Sequence, residues 1–99
     1  MSEMKVKKIK KVLSPLRVGN AVLIRTVTHY QTGRIEILTP LEVVLSSAAW
    51  IADTGRFADC LAKGTPAEVE PFAAGLVSVA RGAIVDVTDW TAELPTVQK

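Results

Sequence analysis

The sequence predicts a small, mainly β fold: five short strands in a strongly bent, barrel-like sheet, with a short helical insert and a basic N-terminal segment. Three observations carry this. Apolar and polar residues alternate with a period of two through most of residues 19–90. Turn-forming clusters punctuate the alternation at short intervals. And the chain has only 99 residues, 48% of them hydrophobic, so five strands cannot bury both faces of a flat sheet, whereas a bent sheet can enclose one core.

Residues 1–18 form a basic arm. Lys5, Lys7, Lys8, Lys10, Lys11 and Arg17 stand against Glu3 alone, while the rest of the chain is mildly acidic. Val6, Ile9, Leu13 and Leu16 recur every three or four residues, the pattern of a short amphipathic helix. Ser14-Pro15 interrupts it, because the residue before proline avoids helical geometry. Such an arm either contacts phosphate or is a solvated face.

From Gly19-Asn20 the period becomes two. Val22, Ile24 and Thr26 face one way, and Leu23, Arg25 and Val27 the other. "YQTG" reads as a turn through Gly33, and "RIEIL" as the second strand. "TPL" breaks the pattern before the third strand, "EVVLSSAAWIA". A helical insert is expected at about 53–63, with Asp53 or Thr54 as N-cap, Gly64 past its end, and Phe57, Cys60 and Leu61 on one face. Cys60 reads as a small apolar residue under that helix. Residues 65–75 read as irregular, 76–80 and 83–90 as the last two strands, and 91–99 as a frayed tail. The domain proper is therefore 19–90.

Composition excludes several classes. The hydrophobic content is too high for a disordered chain. No apolar run reaches the roughly 18–20 residues of a membrane helix, so no membrane partner is expected. A single cysteine precludes an internal disulfide and fits a cytoplasmic setting. One His and one Cys are not a metal-ligand set, and no cofactor motif is present. His29, Asp53 and Ser46 show no spacing signature of a hydrolytic triad, so no catalytic residue is assigned and no enzymatic activity is expected.

"GNAVLIRTVTHYQTGRIEILTPLEVVLSSA", through Val22, Ile24, Gly33, Ile35, Val43, Leu45 and Ala48, resembles the first motif of the Sm and Sm-like family of small SH3-like β-barrels. "VSVARGAIVDV", through Val77, Val79, Arg81, Gly82, Ile84, Val85 and Val87, resembles the second. The layout is also similar to small proteins encoded in tailed-phage genomes, whose setting would be the host cytoplasm. The resemblance implies a five-stranded barrel that pairs edge to edge with copies of itself as a hexameric or heptameric ring. It also implies RNA or nucleotide as ligand. RNA-binding members of the family carry an acidic residue and an asparagine in the loop before the third strand, where this chain has "ILTPLEVVL" with Pro40 and Glu42, and the bacterial lysine–histidine motif is missing, so a changed ligand is implied.

The candidate ligand-binding residues are Arg81 and Gly82, His29 and Tyr30, and Arg56. Converging Arg81 side chains in a ring require an anion or acidic partners, and phosphate is a suited counter-charge; alternatively Arg81 bonds neighbouring backbone carbonyls across the subunit seam. His29 beside Tyr30 can stack on a base, or can be an ordinary turn residue. Arg56, at the start of the expected helix, opposes the helix dipole and so is a candidate ligand contact or a local ion pair with Asp53. The function expected is a non-enzymatic, ring-forming protein that holds a nucleotide or short nucleic acid. The alternative is a structural or assembly protein whose ring is itself the product, with Trp50 and Trp90 as protein contacts.

Overall fold

The computed structural model describes residues 13–99; the expected helix in the basic arm lies mostly outside them. Six antiparallel strands form one sheet: β1 (Ala21–Thr26), β2 (Tyr30–Leu38), β3 (Glu42–Asp53), β4 (Glu68–Pro71), β5 (Val77–Ala80) and β6 (Ile84–Asp89). Among the described residues one short helix, α1 (Phe57–Lys63), precedes β4, and a 3-10 turn (Arg81–Ala83) links β5 to β6. The strand order is β4-β3-β2-β1-β6, with β5 also on β3.

The long strand β3 has two partners along one edge. Its first part, Glu42–Leu45, pairs with β5, and its second, Ala49–Asp53, pairs with β4. Between them Ser47 takes φ 49, a left-handed conformation unusual for a residue with a Cβ. That kink turns the strand from one partner to the other.

Alternation sends consecutive residues to opposite faces of the sheet. Val22, Ile24, Ile35, Val43, Leu45, Ala48 and Val79 form one buried cluster. Leu23, Ala49 and Ile51 face the other way and are covered by Cys60 of α1, Val69 of β4 and Trp90. Leu23, expected on the opposite face from Val22, is as deeply buried as Val22 because the insert and tail cover that face.

Several local expectations are revised. There are six strands, not five: Glu68–Pro71, expected to be irregular, pairs with β3 despite its proline, which falls at the strand's last residue on the edge. The first hairpin turns at Val27–His29, not at "YQTG". Thr26 organises it, its Oγ1 accepting from the His29 N–H at 3.2 Å and donating to the His29 carbonyl at 3.1 Å. Gly33 lies inside β2, and a Cβ there would meet the Leu45 Cβ at 2.8 Å. The glycine permits close strand approach rather than a turn. Helix α1 has Arg56 at its N-cap with no side-chain cap. The Asp53 carboxylate instead accepts from the Gly55 N–H at 2.8 Å, and Gly64 closes the helix in the left-handed conformation. The tail is paired at its end: Lys99 and Val69 exchange both backbone hydrogen bonds at 3.0 Å. No helix among the described residues is long and apolar enough to cross a membrane.

Candidate ligand-binding cleft

A cleft of about 460 Å³ opens where the β1–β2 turn meets the far part of β3 and the start of β6. Thr28, His29, Tyr30, Trp50 and Val85 line it, together with Arg25. The strand register explains how distant residues meet. Gln31 of β2 lies opposite Trp50 of β3, and His29, two residues earlier, falls on the diagonal within reach of a large ring. The His29 and Trp50 rings meet edge to face, centroids 6.1 Å apart and planes at 73°, a favoured aromatic arrangement. Trp50 nevertheless stays 42% exposed.

Polar contacts orient these rings. The Thr28 hydroxyl is 2.8 Å from His29 Nδ1. Tyr30 packs at 5.9 Å against Phe57 of α1, so the helical insert flanks the cleft. Gln31, opposite Trp50 in the β2–β3 register, is buried with its Oε1 unpartnered by hydrogen bonds.

Arg25 is committed to a partner. Its Nε donates to Asp86 Oδ2 at 3.0 Å and its Nη2 bonds the same oxygen. That hydrogen bond, and then the carboxylate charge, raise the guanidinium pKa above its ordinary value. Glu70 stands opposite Trp50 in the β3–β4 register. Apart from the Arg25–Asp86 pair and the imidazole, no ionisable cation lines the cleft among the described residues.

Of the residues singled out from sequence, His29 and Tyr30 come together here. Arg56 is exposed at the helix N-cap and does not line the cleft. Arg81 lies elsewhere: its Nη1 donates to the Thr39 carbonyl at 2.9 Å, and its backbone N–H donates to the Leu41 carbonyl at 3.0 Å. Gly82 beside it is exposed, and a Cβ added there would meet nothing within 4 Å. The guanidinium thus braces the β2–β3 loop of its own chain, whereas the carbonyl bonding expected for it ran across a subunit seam. Arg25, Thr28 and Val85 were not foreseen, since their meeting depends on a register that local alternation leaves open.

Among the described residues, His29, Asp53 and Ser46 each bond a different partner. Asp53 bonds the Gly55 N–H, Ser46 bonds Glu36, and His29 bonds Thr28. Among the described residues no three His, Cys, Asp or Glu side chains gather to hold a metal ion. No family model matches the chain, and neither a curated protein nor a solved structure matches it.

Proposed function

We propose that this chain is a non-enzymatic binding protein that assembles as a ring and holds a nucleotide or a short stretch of nucleic acid in the His29–Trp50 cleft. The observation that carries the ligand part is the half-exposed Trp50 ring, held edge-on by His29 in a cleft of about 460 Å³. Exposed aromatic faces on a rigid sheet are what base stacking uses.

The ring part draws on the sheet. β5 sits on β3 and β6 on β1, yet a three-residue turn joins them. The sheet must curl to bring those strands together, which supports an Sm-like or SH3-like small barrel. β5 and β6 each pair with only one strand among the described residues, and edge pairing with a neighbour would satisfy their free groups. A hexamer or heptamer follows from the family resemblance. In that assembly Arg81 braces the β2–β3 loop within each subunit.

A second reading has its own support. Leu41 at 81% exposure and Leu76 at 60% lie outside the cleft lining, and exposed apolar side chains fit a protein whose assembly is the product. Native mass spectrometry of the full chain separates the two. A ring retaining nucleotide-sized mass is expected. A ring that stays bare, even with added nucleotides, favours assembly as the function, and a monomer at micromolar concentration sinks the ring.

A further inference from the structure

The charge around the cleft bears on which part of a ligand it recognises. A phosphate site needs uncommitted donors: free guanidinium or ammonium groups, or converging backbone N–H groups. Here the one arginine of the lining already gives two hydrogen bonds to Asp86. No lysine lines the cleft among the described residues, and Glu70 adds a negative charge opposite Trp50. What the cleft does offer is ring surface and short polar groups: the indole of Trp50, the imidazole of His29, and the Thr28 hydroxyl bonded to it.

We infer that the cleft recognises the nucleobase ring itself, by stacking and edge contacts at Trp50 and His29, and leaves the phosphate in solvent. This rests on the proposed binding function and narrows it. The ligand class is a planar nitrogen heterocycle, carried by a free nucleoside, a nucleotide or a single strand. Arg25 lines the cleft with its charge neutralised by Asp86.

The test is calorimetric titration of the full chain with each of the four ribonucleosides, its 5′-monophosphate and a matching five-residue oligoribonucleotide. At least one nucleoside should bind with an affinity within about threefold of its monophosphate. That affinity should hold nearly flat between about 50 and about 200 mM salt, where phosphate-dependent binding falls steeply. Trp50→Ala should weaken binding about tenfold or more, as expected for one lost stacking partner. Asp86→Asn, at an exposed site, should release the guanidinium and let the monophosphate overtake the nucleoside by about tenfold. An oligonucleotide more than about tenfold tighter than its nucleoside identifies a strand as the source, and equal affinities identify a small molecule.

Monophosphates or oligonucleotides that bind while every nucleoside fails would overturn the inference and leave the binding function standing. Failure of all three classes would overturn both.

Discussion

On one face of the sheet, Val22, Ile24, Ile35, Val43 and Leu45 pack against each other, and every one of them comes from a strand. On the other face, Leu23, Ala49 and Ile51 are buried only because Cys60, Val69 and Trp90 arrive from the helix, a short edge strand and the end of β6. Adjacent residues such as Val22 and Leu23, or Ala48 and Ala49, therefore belong to different cores. The first core is made mainly by the pleat of the sheet, with Leu16 from the segment before β1 packed against it. The second depends on chain that must fold back over it. The cleft lies at the border, with Trp50 on the sheet and Phe57 of the helix meeting Tyr30 beside it.

The sharpest way to separate the two faces is to remove the tryptophan that closes the second. Trp90→Ala deletes a buried indole and its N–H bond to the Glu93 carbonyl at 2.9 Å. A loss of about 3–5 kcal/mol is expected in denaturant unfolding. Native-state hydrogen exchange should show α1 and β4 losing more protection than the amides shared by β1 and β2. Equal loss in both regions would make the faces one cooperative unit.

A smaller effect is expected from crowding the first face. Gly33→Ala places a methyl group 2.8 Å from the Leu45 Cβ and 3.2 Å from the Ser46 carbonyl. About 1–3 kcal/mol of destabilisation should follow. The same change at Gly82, where nothing lies within 4 Å, should stay within about 0.5 kcal/mol. Thermal melts of the two variants side by side decide it, and a Gly82 variant as unstable as the Gly33 variant would refute the packing account.

The smallest effect belongs to the thiol of the second face. Burial raises the Cys60 pKa by penalising the thiolate. In the unfolded chain the thiol ionises near its ordinary value of about 8.5, while in the folded chain it stays protonated to higher pH. Its contribution to stability is therefore full below about pH 8.5 and is lost as pH rises toward the folded value. Denaturation series at rising pH should show a decline that Cys60→Ala makes shallower, and parallel slopes would remove Cys60 from the account.

The same contrast explains what could be read from sequence. The strands of the first core carry their own alternation, so β1, β3, β5 and β6 were legible from residue order. The helix was legible too, through the spacing of Phe57, Cys60 and Leu61 and the glycine at 64. What alternation could not give was the partner of each strand. Gly33 looked like a turn because glycine is common in turns, yet its reason is the Leu45 side chain on another strand. Glu68–Pro71 looked irregular because its pairing energy comes from β3, not from its own composition. Likewise, the cleft was half visible in His29 and Tyr30. Its other half, Trp50 and Val85, is set by register and by the approach of β6. Arg81 reads as a possible anion site, and one of its guanidinium N–H groups donates to the Thr39 carbonyl of its own chain.

The kink at Ser47 has a consequence for how this chain can change over evolutionary time. The excursion that carries α1 and β4 starts and finishes at one place: Ala48 donates to the Gly75 carbonyl at 3.0 Å, and Phe72 donates to the Ala48 carbonyl at 3.0 Å. The β3–β5 pairing resumes just beyond, at Leu45 and Val77. Since the entropy of closing such a loop grows only slowly with its length, residues can be gained or lost within the excursion while the strands beneath keep their register. Descendants of this sequence have a position from which to grow new surface beside the cleft without rebuilding the sheet that holds it.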